Sequence, residues 1–131
     1  MTNYSIYTLL ILLLVSCTSK YIFIDSFKGQ VHDNLTDDPI KDVVIYVDSV
    51  AFNAFVPIRT DNQGKFEIEG LFTHNYDSYV TFRKNISYHL IFKADGYETD
   101  TLDLTEYNAD NRAVDIRDLG KIYLIPKDGK E

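Results

Sequence analysis

Histidines and possible nucleophiles are the residues of this chain with the most obvious chemical potential. The three histidines, His32, His74 and His89, are widely separated and show no spacing that would bring them to one metal ion. The sequence also contains no Gly-x-Ser-x-Gly nucleophile elbow and no Gly-rich phosphate-binding loop. These patterns predict a protein without catalysis, without a metal site and without a bound cofactor.

Four aspartates are concentrated around one predicted turn. They are Asp33, Asp37, Asp38 and Asp42. Carboxylate oxygens are the ligands that calcium prefers, so this group could hold a calcium ion. Because the spacing follows no calcium-binding loop, we interpret the four side chains as solvated turn carboxylates and keep a calcium site as the alternative.

The segment from Phe72 to Lys84 combines aromatic rings with basic side chains. Aromatic rings can stack on a sugar or a peptide side chain, and a neighbouring cation can add a polar contact. Tyr76, Tyr79 and Arg83 are therefore the candidate contacts for a glycan or peptide ligand. The alternative is that these rings pack in the core or at a sheet edge, and the chain lacks tryptophan, the ring favoured in carbohydrate sites.

The single cysteine follows an apolar run that is typical of a secretory signal peptide. The run, Leu9–Val15, is shorter than the roughly 20 apolar residues needed to span a bilayer. The sequence Leu14-Val15-Ser16-Cys17 resembles the bacterial lipobox, in which the cysteine receives acyl chains and becomes the first residue after cleavage. The alternatives are an ordinary secretory signal with a chance cysteine or a buried core cysteine. Met1–Thr8 contains no Lys or Arg, whereas such signals usually start with basic residues.

This interpretation divides the chain into three parts. Residues 1–16 are predicted to be a lipoprotein signal peptide, residues 17–20 a lipid-anchored tether, and residues 21–131 one folded domain. The three residues after Cys17 span on the order of 10–14 Å when extended, so we expect the domain to lie close to the membrane.

The composition restricts the class of protein further. The chain has 131 residues, of which 45% are hydrophobic and 14% aromatic, too many for intrinsic disorder. The formal net charge of -7 argues against a nucleic-acid partner, since phosphates require a basic surface. A single cysteine excludes an intrachain disulfide.

After Tyr21 the sequence shows no convincing helical periodicity and contains short strand-like segments separated by turns. The predicted strands are 21–31 as one long strand, 43–47, 65–69, 79–83 as an added edge strand, 88–94, 99–104 and 121–125. Residues 105–119 are predicted to be a polar loop or one short helical turn. This pattern predicts an all-β fold, an antiparallel seven-stranded β-sandwich.

Three turns separate these strands. Asp61-Asn62-Gln63-Gly64 is predicted to be a hairpin turn, because Asn and Gly accept positive φ. Asp95-Gly96 and Asp37-Asp38-Pro39 mark two further turns.

Four motifs occur in an order that resembles the carboxypeptidase regulatory-like domain. They are Gly29-Gln30-Val31-x-Asp33, Pro39-Ile40-x-Asp42-Val43-x-Ile45, Thr60-Asp61-x-x-Gly64-x-Phe66-x-Ile68 and Tyr88-x-Leu90-x-Phe92-x-x-x-Gly96-Tyr97. The resemblance covers roughly residues 27–125 and implies a transthyretin-like (prealbumin-like) β-sandwich. The chain does not end in the Tyr-Arg-Gly-Ser of the hydroxyisourate hydrolases, the enzymes that share this fold.

The family resemblance and the predicted anchor together imply a function. Such domains are abundant in envelope proteins of Bacteroidetes-type bacteria, usually as accessory domains. We therefore expect a non-catalytic lipoprotein that acts as a structural or protein-interaction module with an envelope protein partner. The alternative is a lipoprotein that captures a glycan or peptide through residues 72–84. Because no acidic residue follows Cys17 before Asp25, we expect an outer-membrane anchor that faces the periplasm.

Overall fold

The computed structural model describes residues 19–48, 56–86, 88–108 and 116–127. The predicted signal peptide and Cys17 lie outside the described residues. The elements are β1 Tyr21–Ile24, β2 Phe27–Asp33, β3 Val44–Asp48, β4 Ile58–Arg59, β5 Lys65–Ile68, β6 Leu71–Thr73, α1 Tyr76–Phe82, a 3₁₀ helix Arg83–Asn85, β7 His89–Lys93, β8 Asp100–Asp103, α2 Thr105–Asn108 and β9 Arg117–Leu124. Within these ranges, no helix is long and apolar enough to cross a membrane.

The strands form three sheets, with orders β5-β2-β9, β4-β3-β7-β8 and β1-β6. The all-β prediction is confirmed, but the predicted seven strands are not found, since the described residues form nine. The predicted purely antiparallel arrangement is wrong, because β2 and β9 run parallel. Side chains alternate between the two faces in both kinds of pair, so the sequence pattern carries no information on strand direction.

The two larger sheets share one hydrophobic core. Alternation along β5 buries Phe66 and Ile68 and exposes the charged residues between them, as predicted. The Phe66 ring lies 5.7 Å from the ring of Phe92 in β7, in an edge-to-face arrangement that connects the two sheets. Phe92 and Leu90 are fully buried, so this contact lies at the centre of the fold.

The predicted long strand 21–31 is wrong, because Asp25 and Ser26 divide it into β1 and β2. The Ser26 hydroxyl accepts a hydrogen bond from Gly70 N at 2.9 Å, which brings two chain segments together at this point. A Cβ atom on Gly70 would lie 2.5 Å from the Ile24 carbonyl oxygen, so only glycine permits the approach. We call Asp25, Ser26, Gly70 and Arg117 the junction, because β1 and β6 continue beyond it as a separate sheet.

Asp25 stabilises the junction through an ion pair. Its carboxylate is buried and accepts a hydrogen bond from the Arg117 guanidinium, which is itself largely buried. The Arg117 backbone N–H also donates to the Ser26 carbonyl oxygen at 2.8 Å. A charged side chain therefore faces inward at a position where strand alternation alone would place an apolar one.

The predicted edge strand 79–83 is also wrong, since these residues lie in α1 and the 3₁₀ helix. Asn75 caps α1, and its side-chain oxygen accepts a hydrogen bond from Ser78 N at 3.0 Å. The segment is rich in aromatic and β-branched residues, which favour strands. The cap and the packing of the Tyr79 ring against Phe23 override that preference.

The predicted turn at Asp61–Gly64 is confirmed, but its assignment to a hairpin is wrong. Gly64 has φ +71°, and the Asp61 carboxylate accepts hydrogen bonds from Gln63 N and Lys65 N. The flanking strands β4 and β5 pair with β3 and β2 respectively, so the turn connects two different sheets. Residues 105–119 were predicted to be a polar loop or one short helical turn. Residues 105–108 form the short helix α2, whereas 117–119 belong to β9.

Candidate functional site

Strand β2 connects two surfaces of contrasting chemistry. Its first residue, Phe27, follows the junction, and its last residue, Asp33, enters a polar turn. Seven strand residues separate the two ends by about 20 Å. Most of the side chains singled out in the sequence lie at one end or the other.

The aromatic platform is the end of the molecule beyond the junction, built on the two faces of the sheet β1-β6. It consists of Lys20, Tyr21, Phe72, Tyr76, Tyr79 and Arg83, which are contributed by the start of the described chain, β1, β6, α1 and the 3₁₀ helix. The three residues predicted as ligand contacts, Tyr76, Tyr79 and Arg83, are therefore brought to one surface.

Tyr21 organises the rings of the platform. Its ring centroid lies 5.5 Å from that of Tyr76 and 5.6 Å from that of Tyr79. Tyr79 is half-buried, and its ring lies 5.3 Å from the buried ring of Phe23. Tyr76 is 60% exposed. Tyr79 thus attaches α1 to the core, and Tyr76 presents its ring to solvent.

Two cations lie over rings of the platform. The Lys20 ammonium is 4.1 Å from the centre of the Phe72 ring, and the Arg83 guanidinium carbon is 5.7 Å from that of Tyr79. Phe72 is itself 42% exposed.

Because Phe72 is paired with Ile22 and Tyr21 with Thr73, the Phe72 and Tyr21 side chains lie on opposite faces of the sheet β1-β6. The platform is therefore an end of the molecule, and each of its two faces combines an exposed ring with a cation.

Sequence reasoning missed Lys20 and Tyr21 as members of the platform, because it treated residues 17–20 as a tether and Tyr21 as the start of one long strand. Their position follows from the pairing of β1 with β6, which places Tyr21 opposite Thr73. His74 Nδ1 lies 3.0 Å from the carbonyl oxygen of Ser19, so the first described residue is also held at the platform. The alternation of Tyr21 and Phe23 was the available signal for β1, but it did not show which strand would pair with it.

The polar corner is the surface at the other end of β2. It consists of His32, Asp33, Asp37, Tyr97 and Lys121. Asp33 accepts hydrogen bonds from Leu35 N at 2.7 Å, Thr36 N at 3.1 Å and the Tyr97 hydroxyl at 2.7 Å. The Tyr97 hydroxyl and then the Leu35 N–H hold the pKa of Asp33 below its ordinary value, and the same bond to Asp33 raises the pKa of Tyr97.

The second carboxylate of the polar corner is paired with a lysine. The Lys121 ammonium lies 2.9 Å from both carboxylate oxygens of Asp37. This contact lowers the pKa of Asp37 and raises that of Lys121. His32 is buried, and its Nδ1 lies 2.7 Å from the Asp37 carbonyl oxygen. Because a carbonyl oxygen only accepts, the proton is on Nδ1, and Nε2 has no hydrogen-bond partner in the described part of the chain.

These bonds bear on the alternative of a calcium site. The oxygens of Asp33 and Asp37 accept hydrogen bonds from protein donors, and Asp42 lies 3.8 Å from the ammonium of Lys41. In the ranges that the structure describes, no three His, Cys, Asp or Glu side chains converge in a way that could hold a metal ion.

The polar corner fixes the loop Asn34–Asp38, which we call the distal loop. Asn34 N donates to the Leu124 carbonyl oxygen at 3.0 Å, and Asp33 N donates to the Asp38 carbonyl oxygen at 2.8 Å. Leu35 lies within this loop and is 78% exposed. Two more exposed apolar residues, Tyr123 and Ile125, lie at the same end of the sheet.

A third feature is an open groove of about 660 Å³ along the sheet β5-β2-β9. Its charged lining residues are Lys28, Lys65, Lys121, Asp61, Glu67 and Asp118. Lys28 lies 3.8 Å from Asp118, and Lys121 is paired with Asp37. The groove thus mixes both signs of charge and indicates no particular ligand.

Comparisons with known proteins identify no family for the chain. No protein-family model matches it, and no curated protein matches it. Among solved structures, it is similar to a 9R-lipoxygenase from Cyanothece PCC8801, with 15% identity, a TM-score of 0.44 and coverage of 91% of this chain. It is also similar to a 3-chlorocatechol 1,2-dioxygenase from Rhodococcus opacus 1CP, with 20% identity, a TM-score of 0.40 and coverage of 78% of this chain.

The chain spans 20% of the length of that lipoxygenase and 60% of that dioxygenase. At these TM-scores neither similarity supports an argument about the fold or activity of this protein. The functional interpretation therefore depends on the residues themselves.

Proposed function

We propose that this protein is a non-catalytic, lipid-anchored module of the bacterial envelope that binds a protein partner through its distal loop. The observation that carries this proposal is Leu35, which is 78% exposed on a loop held in place by the polar corner. An apolar side chain on a loop that is already ordered loses little conformational freedom on binding. Tyr123 and Ile125 extend the apolar area at the same end.

The proposal includes the finer fold, a transthyretin-like β-sandwich of the carboxypeptidase regulatory-like type. The two larger sheets, with three and four strands, are the part that we assign to this architecture. Support comes from residues of the resembling motifs, which perform structural work here. Gly64 and Gly96 have positive φ values of +71° and +82°, and Tyr97 bonds Asp33 across the polar corner.

The anchor is proposed from the lipobox-like sequence at Cys17, and the location from the lack of acidic residues directly after it. In this view the module is attached to the outer membrane and faces the periplasm. Digestion of intact cells by an added protease would contradict the location, because a periplasmic domain is cut only after permeabilisation.

The anchor is tested by metabolic labelling with a radioactive fatty acid in cells that express the full chain. Incorporation of label by the wild type and its loss in Cys17→Ala are expected. An unchanged mass for the Cys17→Ala chain would contradict lipidation.

The partner surface is tested by placing a photoreactive phenylalanine analogue at position 35 of the full chain in living cells. A single crosslinked product is expected, and co-expressed wild-type chain should compete for it, whereas a Leu35→Asp chain should not. Glu67, an exposed residue on the face of β5, provides the matched control position. The same products at both positions, or equal competition by Leu35→Asp, would contradict a distal-loop partner.

A further inference from the structure

We propose that the aromatic platform is a membrane-contact surface that lies among phospholipid headgroups and fixes the orientation of the domain on the bilayer. The inference rests on the lipid anchor of the proposed function. It assigns the platform to a lipid surface instead of the glycan or peptide ligand that the sequence alone suggested.

The chain between the predicted anchor and the platform is short. Cys17 precedes Ser19 by two residues, which span at most about 7 Å when extended. Ser19 is held at the platform by His74, and the next residue, Lys20, lies over the Phe72 ring. Acyl chains on Cys17 would therefore bring this surface to the interfacial region, which extends about 5–7 Å on each side of the hydrocarbon core.

The exposed side chains of the platform have the chemistry of residues that favour a membrane interface. Tyrosine rings favour the membrane–water interface, because the ring is apolar and the hydroxyl can bond to water or headgroups. Tyr76 and Phe72 are the most exposed rings of the platform, at 60% and 42%, and they flank this end of the molecule from opposite faces of the sheet β1-β6. Both belong to β6 and α1, two elements beyond the junction whose contacts with the core are made by other residues, Leu71 and Tyr79.

The charge of the platform differs in sign from that of the whole chain. The described segments that build the platform, 19–24 and 71–86, carry Lys20, Arg83 and Lys84 against one acidic residue, Asp77. The chain as a whole has a net charge of -7. Positive charge is thus concentrated at the tether end, where it suits anionic lipid phosphates. The remaining acidic surface would be repelled by the same bilayer.

The arrangement has a consequence for the partner surface. If the platform lies on the membrane, the polar corner is at the other end of β2, about 20 Å away. The distal loop then points away from the bilayer and remains accessible. The anchor supplies attachment, and the platform supplies orientation.

The absence of tryptophan from the sequence allows a direct test. The full-length lipidated chain with Tyr76→Trp is incorporated into vesicles of phosphatidylethanolamine and phosphatidylglycerol whose acyl chains carry bromine. The matched control is Tyr123→Trp, at a 43% exposed position beside the polar corner. We expect a blue shift and quenching of the indole at position 76 and an unchanged emission at position 123.

Lipidation is verified independently by mass and by flotation with the vesicles. A chain that carries lipid and floats, but whose Tyr76→Trp indole is not quenched, overturns the membrane contact and leaves the anchor intact. Equal quenching at both positions overturns the fixed orientation. A Tyr76→Trp signal that responds to added oligosaccharides or peptides but not to vesicles overturns the proposal in favour of ligand capture. Phe72→Trp provides a second probe, and agreement between the two positions is required for support.

Discussion

The two ends of strand β2 present side chains in opposite ways. At the polar corner, Asp33, Asp37, Tyr97 and Lys121 form hydrogen bonds with one another and with the distal loop. At the aromatic platform, Tyr76 and Phe72 remain largely exposed, and their contacts are mostly with other surface rings and cations.

The difference separates residues that stabilise the fold from residues that are available for binding. A side chain whose bonds are already made inside the protein costs stability when it is changed. When an exposed side chain is changed, the expected loss is in binding to another molecule and not in stability. Leu35 belongs to the second group, although residues of the first group hold it in place. Substitutions at the bonded positions should therefore lower stability, whereas substitutions at the exposed positions should leave stability nearly unchanged and weaken binding.

The largest effect on stability is expected at the junction, where the platform meets the two larger sheets. Arg117→Met leaves the buried carboxylate of Asp25 without its ion-pair partner. We expect the free energy of unfolding to fall by about 3 kcal/mol, because an unpaired buried charge is strongly unfavourable. Urea denaturation followed by circular dichroism measures the change.

A surface ion pair provides the control for this prediction. Lys28→Met removes a contact with Asp118 in which both side chains are at least half exposed, so it should cost less than about 1 kcal/mol. Equal losses in the two variants would contradict a structural role for the junction.

A substitution at a glycine tests the turn beside the polar corner. Gly64 has φ +71°, and a Cβ atom there would lie 2.5 Å from the Val31 carbonyl oxygen. Gly64→Ala should therefore lower the free energy of unfolding by about 2 kcal/mol or more, since backbone strain and a backbone clash act together. Gly96 has φ +82°, but the space around its Cβ position is open. For Gly96→Ala we therefore expect the free energy of unfolding to fall by about 1 kcal/mol. A Gly96→Ala loss as large as that of Gly64→Ala would show that the clash is not important.

Removal of one hydroxyl tests the polar corner itself. Tyr97→Phe deletes the hydrogen bond to Asp33 and should lower the free energy of unfolding by about 1 kcal/mol at neutral pH. Thermal or urea denaturation measures the loss.

The same variant should alter the pH dependence of stability. The bond from Tyr97 holds the pKa of Asp33 below its ordinary value in the folded protein. Its contribution is complete above the unfolded pKa of about 4 and is lost as the pH falls through the lower folded pKa. We therefore expect a smaller loss of stability between pH 5 and pH 2 in Tyr97→Phe than in the wild type, and an identical pH profile would contradict this role.

The sequence predicted much of the two larger sheets and little of the platform, for a physical reason. Phe66 and Ile68 alternate with charged residues, and Asp61–Gly64 has the composition of a turn, so these elements follow from local patterns. The pairing of β1 with β6 depends on contacts between residues about 50 positions apart, and no local pattern encodes it.

The two errors near the platform both involve a contact between residues distant in the sequence, although the Asn75 cap of α1 is local. The break at Asp25 depends on Arg117, which lies 92 positions later in the chain. The helix α1 depends on the Asn75 cap and on packing of Tyr79 against Phe23, which outweigh the strand preference of its residues. Composition identified Tyr76, Tyr79 and Arg83 as candidate ligand contacts. Only the tertiary structure shows that the Tyr79 ring packs on Phe23 while the Tyr76 ring is exposed.

The smallest effect on stability is expected at the platform, where a substitution tests most directly whether exposed side chains contribute to the fold. Tyr76→Ser removes a ring that is 60% exposed, so the free energy of unfolding should change by no more than about 0.5 kcal/mol. Tyr79→Ser, the matched variant three residues later, removes a ring that packs on Phe23 and should be clearly more destabilising. Urea denaturation of both chains compares the two losses. If Tyr76→Ser destabilised the protein as much as Tyr79→Ser, the exposed ring would be part of the fold, and the division between stabilising and available side chains would fail at the surface where it matters most.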